Sequence, residues 1–147
     1  MKRVLLSSVV VALGLAGPAM AGETPSAPGT SVYFGNLSDG DVVASPVKVV
    51  FGLSGMGVAP AGLEKENTGH HHVLVNRPAL GEGEDGADEF AFPIPADENH
   101  LHFGGGQTEA ALELPAGEHT LQLVLGDQNH IPHDPPIVSE IITITVE

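Results

Sequence analysis

Gly69-His70-His71-His72-Val73-Leu74-Val75-Asn76 decides how the chain is read. It is an apolar, β-branched run led by three consecutive imidazoles, in a sequence that contains no cysteine. Taken as a strand, its side chains alternate: His71, Val73 and Val75 share one face, and His70, His72, Leu74 and Asn76 the other. The valine side is the expected core face. His70 and His72 then stand about 6.5–7 Å apart along the opposite face, close enough for two imidazoles to reach one ion. The same His-x-His spacing returns at His100-Leu101-His102, and His130-Ile131-Pro132-His133 adds a His-x-x-His pair.

Outward from this stretch the pattern is all strand and turn. Val47, Val49, Phe51 and Leu53 alternate with Lys48, Val50 and Gly52, and Pro46 suits a strand start. Leu121, Leu123 and Leu125 face one way, as do Ile142, Ile144 and Val146. Strands are predicted at 31–36, 46–53, 70–76, 89–93, 107–114, 118–125 and 138–146, with 54–69 as loop. Pro115-Ala116-Gly117 reads as a tight hairpin between the fifth and sixth. The acidic run 81–89 reads as a solvated loop rather than a Ca²⁺ site, because its carboxylates lack the alternating spacing of a calcium loop. No stretch carries helical periodicity. About seven short strands in a domain of this length predict an immunoglobulin-like antiparallel β-sandwich.

In that topology the connections after the second, fourth and sixth strands share one end. His70 and His72 begin the third strand there, His100 and His102 lie in one connection, and His130 and His133 in another. The topology therefore predicts that these six residues gather at one pole. His119 and the acidic loop fall at the far pole.

Residues 1–21 read as a secretory signal: Lys2 and Arg3, the apolar run Val4 to Leu15, then Ala19-Met20-Ala21 as a small-x-small cleavage site. Cleavage after Ala21, a flexible linker over 22–30 and a single domain over 31–147 are expected, in the periplasm or outside the cell. No second apolar run of spanning length follows. All 19 acidic residues lie after the signal, where only Lys48, Lys65 and Arg77 are basic. Such a surface repels nucleic acid and anionic lipid and attracts cations. Without cysteine, thiolate is excluded as ligand or nucleophile.

Three segments carry a resemblance. Gly69 to Val75, His100-Leu101-His102-Phe103-Gly104-Gly105-Gly106-Gln107-Thr108-Glu109, and the run Gly117 to Pro136 resemble the bacterial envelope family known as domain of unknown function 4399. With the Asp39-Gly40 and Gly55-Met56 segments, the likeness covers nearly all of the chain after the signal. It implies an exported small β domain and supplies no activity.

Function is read from the histidines. Neutral imidazole suits copper and zinc, and Met56 offers a soft ligand for Cu(I). The candidate metal ligands are His70, His72, His100, His102, His130 and His133, with affinity expected to fall as pH drops through about 6.5. There is no His-Glu-x-x-His, no Gly-x-Ser-x-Gly and no phosphate loop opening a helix, so the reading leans away from an enzyme. The alternative is a non-enzymatic module for a small ligand or partner, in which the histidines are structural or touch the ligand. One tyrosine and no tryptophan leave few aromatic platforms for it.

Overall fold

The computed structural model describes residues 22–147; the expected signal peptide, 1–21, lies outside the described residues. They form nine strands and no α-helix: β1 (Ser31–Phe34), β2 (Val42–Val43), β3 (Val47–Ser54), β4 (Gly57–Val58), β5 (Thr68–Val75), β6 (His100–Phe103), β7 (Glu109–Leu112), β8 (Gly117–Gly126) and β9 (Ile142–Val146). None of the described residues form a helix long and apolar enough to cross a membrane.

Two sheets face each other. The smaller has the order β1-β3-β7, and the larger runs β2-β9-β8-β5. The free edge of β5 is covered in two parts, by β4 beside Thr68 and Gly69 and by β6 beside His71 to Leu74. All pairings are antiparallel except the two-residue β2–β9 and β4–β5 ladders. The result is an all-β sandwich. Alternation explains its core: Val47, Val49 and Phe51 of β3 meet Val73 and Val75 of β5, Leu121, Leu123 and Leu125 of β8, and Ile142, Ile144 and Val146 of β9. These apolar faces lose their water only against each other, which drives the two sheets together.

The larger sheet also has a second covered face. Leu74 and Val124 point away from the sandwich and pack with Leu80 and Ile94 of the long β5–β6 connection. Gln122 hooks that connection in place, its Oε1 accepting from Leu80 N at 3.0 Å. This outer layer is why β5 is buried on both sides, and it carries the histidines.

Four expectations are corrected. Residues 89–93 are not a strand: a 3-10 turn at Gly86–Phe90 leads into them, and Pro93 and Pro95 deny the segment a ladder. His100–Phe103 is a strand instead, pairing with β5. Pro115-Ala116-Gly117 does not close a hairpin; β7 pairs with β3 and β8 with β5 and β9, so the chain crosses between sheets there. The acidic loop is not remote, since Arg77 joins Glu89 to His100. The segment ahead of β1 makes contacts of its own. Ser26 N donates to Asp134 O and Asp134 N to Thr24 O, both at 2.9 Å, docking this segment on the loop before β9.

Candidate metal centre

Strand β5 sets the floor of the site. His70 and His72 project from its outer face and are wholly inaccessible, with Nε2 atoms 3.0 Å apart. The room beneath them comes from β8: Gly126 lies opposite His70, and a Cβ there would stand 2.9 Å from His72 Nε2. His102 comes from β6, directly opposite His72 in the ladder, and is exposed. Its ring folds over Gly104, where a Cβ would lie 2.3 Å from His102 Cε1. His130 closes the group from the β8–β9 loop, its Nδ1 3.1 Å from His70 Nε2.

One nitrogen from each of His70, His72, His102 and His130 lies within 4.8 Å of all the others. Four nitrogens around an ion at about 2.0–2.1 Å would sit roughly 3.3 Å apart in a tetrahedron. The two closest pairs, at 3.0 and 3.1 Å, are already near that spacing. Burial and mutual repulsion favour the neutral form of His70, His72 and His102. Burial first, then the neighbouring imidazoles, push His70 down to about 4, with Asp127 acting in the opposite direction. The same causes push His72 down to about 2, and burial with His130 lowers His102. Neutral rings present lone pairs, and lone pairs this close call for a shared cation or proton between them.

The sequence grouped six histidines on one site; the structure brings four together and sets two apart. His100 shares the outer face with His102 but sits two residues along, in a chain of polar contacts. Arg77 Nη1 donates to its Nε2 at 2.6 Å, and its Nδ1 donates to Asp97 Oδ1 at 2.7 Å. Arginine has no acceptor, so His100 spends its lone pair there. His133 is buried with its ring nitrogens facing Leu125 O at 3.3 Å and Thr68 O at 3.2 Å, tying β8 to the start of β5. The gathering place is also the outer face of the larger sheet rather than a pole of loops. Met56 packs against the sandwich core on the other side of that sheet. His119 accepts from Asn76 Nδ2 and donates to Pro115 O, a fully used structural ring.

Comparison with known families bears on the same stretch. A family model described as "Domain of unknown function (DUF4399)" matches residues 49–147. The chain belongs to that family. No curated protein and no solved structure matches. All four converging histidines fall inside the DUF4399 match, as do β4 to β9 and β3 from Val49 onward, whereas β1, β2 and the docked segment 22–30 precede it.

Asp127 is a further residue of the site, outside the histidine pattern. It is 2% exposed, and its Oδ1 accepts from Asn129 N at 2.8 Å and Ile131 N at 2.9 Å, so its carboxylate brackets His130. An aspartate opening a short polar loop is an Asx-turn signal, and Asp127-Gln128-Asn129 carried it.

Proposed function

We propose that this protein is an exported, non-enzymatic metal-binding module holding one copper or zinc ion between His70, His72, His102 and His130. The observation that carries the reading is the approach of four imidazole nitrogens within 4.8 Å, two of them from fully buried rings. Each neutral ring adds a nitrogen donor and none adds charge, a set suited to late first-row ions, with Cu²⁺ ahead of Zn²⁺ in intrinsic affinity. Exposed His102 lines an open groove between β6 and β7, and gives the ion its way in and out. The acidic surface raises the cation concentration around it.

The test is a titration of the processed, tag-free chain with Cu²⁺, Cu⁺ and Zn²⁺, followed by melting temperature. Binding to the folded state alone stabilises it by about 2.7 kcal/mol at a free ion concentration 100 times Kd. Replacing His72 and His102 together removes that gain. Stabilisation by no ion would leave the groove beside His102 as a site for an organic ligand or partner, the second reading.

A further inference from the structure

His130 is the one member of the cluster carried by a loop, and its backbone is in the left-handed region with φ 68°. A non-glycine residue stays there only when its surroundings hold it. Two groups hold His130 from either side. Its own N–H donates to Asp127 O at 2.9 Å, and its carbonyl accepts from Ile94 N at 2.8 Å. The flanking N–H groups of Asn129 and Ile131 both donate to Asp127 Oδ1. The remaining carboxylate oxygen, Oδ2, accepts from Thr24 Oγ1 at 2.6 Å, across 103 residues of sequence.

Thr24 belongs to the segment that precedes the sandwich. That segment lies flush on the loop: a Cβ on Gly22 would stand 2.3 Å from Pro132 O and 2.7 Å from Ile131 Cγ2. Backbone bonds between Thr24, Ser26 and Asp134 fix its register.

We propose that Thr24 and Asp127 form a latch that keeps His130 in its ligating position, so that docking of residues 22–26 and metal affinity are coupled. This rests on the metal reading of the cluster. Neither latch residue touches the ion; both are positioning residues. The carboxylate spans the loop on both sides of His130, and the threonine hydroxyl fixes the carboxylate's second oxygen. Without the hydroxyl, Asp127 Oδ2 loses its partner and the loop loses the contact that ties it to the N-terminal segment. Coupling is reciprocal: whatever the latch adds to metal affinity, the metal adds to docking of the segment.

The experiment compares wild type, Thr24→Val and Thr24→Ser, each as the processed chain without an N-terminal tag. Cu²⁺ and Zn²⁺ affinities are measured by competition with a chelator, and the imidazole nitrogens on Cu²⁺ by electron paramagnetic resonance. Valine keeps the shape and removes the donor. It should weaken binding about tenfold, the usual scale for a group that orients a ligand, with one nitrogen fewer on Cu²⁺. Serine should restore both. Amide exchange at Ser26 should slow when wild type is loaded with metal. If wild type binds and the valine variant matches it in affinity and spectrum, the latch is wrong and the metal reading stands. Equal losses in the valine and serine variants, with the spectrum unchanged, also overturn the latch, because the effect would be general destabilisation. A wild type that binds no ion overturns both.

Discussion

His71 and its neighbours His70 and His72 are consecutive, chemically identical and equally inaccessible to water, yet they occupy opposite surroundings. His71 points into the sandwich, its ring 5.0 Å from that of Phe51, and neither of its nitrogens has a polar partner. His70 and His72 point outward and meet two further imidazoles brought by β6 and the β8–β9 loop. Burial of an imidazole is therefore no mark of a site by itself. Convergence of lone pairs is, and one residue of strand register separates the two conditions.

The sharpest way to break this contrast is to remove nitrogens from each face in turn. Replacing His72 and His102 by glutamine should lower copper and zinc affinity at least a thousandfold, about 4 kcal/mol. His71→Leu should leave affinity within about threefold of wild type in a chelator-competition titration. Equal losses on both faces would erase the distinction.

Acid probes the inner face next. The unfolded chain takes up protons below about 6.5, but burial holds folded His71 unprotonated down to about 4. Stability is thus complete above 6.5 and falls as pH drops toward 4. At about 1.4 kcal/mol per pH unit, His71 alone accounts for on the order of 3 kcal/mol over that window. Urea unfolding of metal-free protein at several pH values measures it, and His71→Leu should make the curve shallower by that share, leaving the slope that His70 and His72 contribute. The depressed values of His70 and His72 also move proton competition with a metal below the 6.5 expected from the sequence.

The same leucine variant sharpens the comparison at neutral pH. Two orphaned polar atoms leave the core, and apolar surface meets Phe51 in their place. Stability should rise by about 1–3 kcal/mol, the usual penalty for burying unpartnered polar groups. A lower midpoint in thermal unfolding would mean that His71 has a partner after all.

Much of the fold could be read from alternation, because one face of β3, β8 and β9 is apolar at every second residue. The double-sided burial of β5 was foreshadowed only by Leu74, whose partners Leu80 and Ile94 come from a connection with no regular pattern. Edge strand β6 reads as part of a connection because a turn of three glycines, Gly104 to Gly106, follows it; a residue without Cβ at 104 is what lets His102 lie over the backbone. His100 and His102 share a face, so their spacing could not tell the ligand candidate from the ring committed to Arg77 and Asp97. Position along β5 decides it, since His102 lies opposite His72 and His100 opposite Leu74.

Smaller effects follow from shape. Gly126→Ala would press a methyl group against His72 Nε2 and should cost about tenfold in metal affinity, about 1.4 kcal/mol. Isothermal titration resolves that difference, and an unchanged Kd would place the ion away from His72. His133→Gln should leave affinity unaltered and lower stability by about 1 kcal/mol, the worth of one backbone-directed hydrogen bond.

X-ray absorption at the metal edge, on tag-free protein loaded with one equivalent of copper or zinc, tests the central claim most directly. The account expects a first shell of three or four imidazole nitrogens at about 2.0–2.1 Å. That shell should persist in His71→Leu and His133→Gln and collapse in the His72/His102 double variant. A shell of carboxylate and water oxygens, or an unchanged imidazole shell in the double variant, would contradict it.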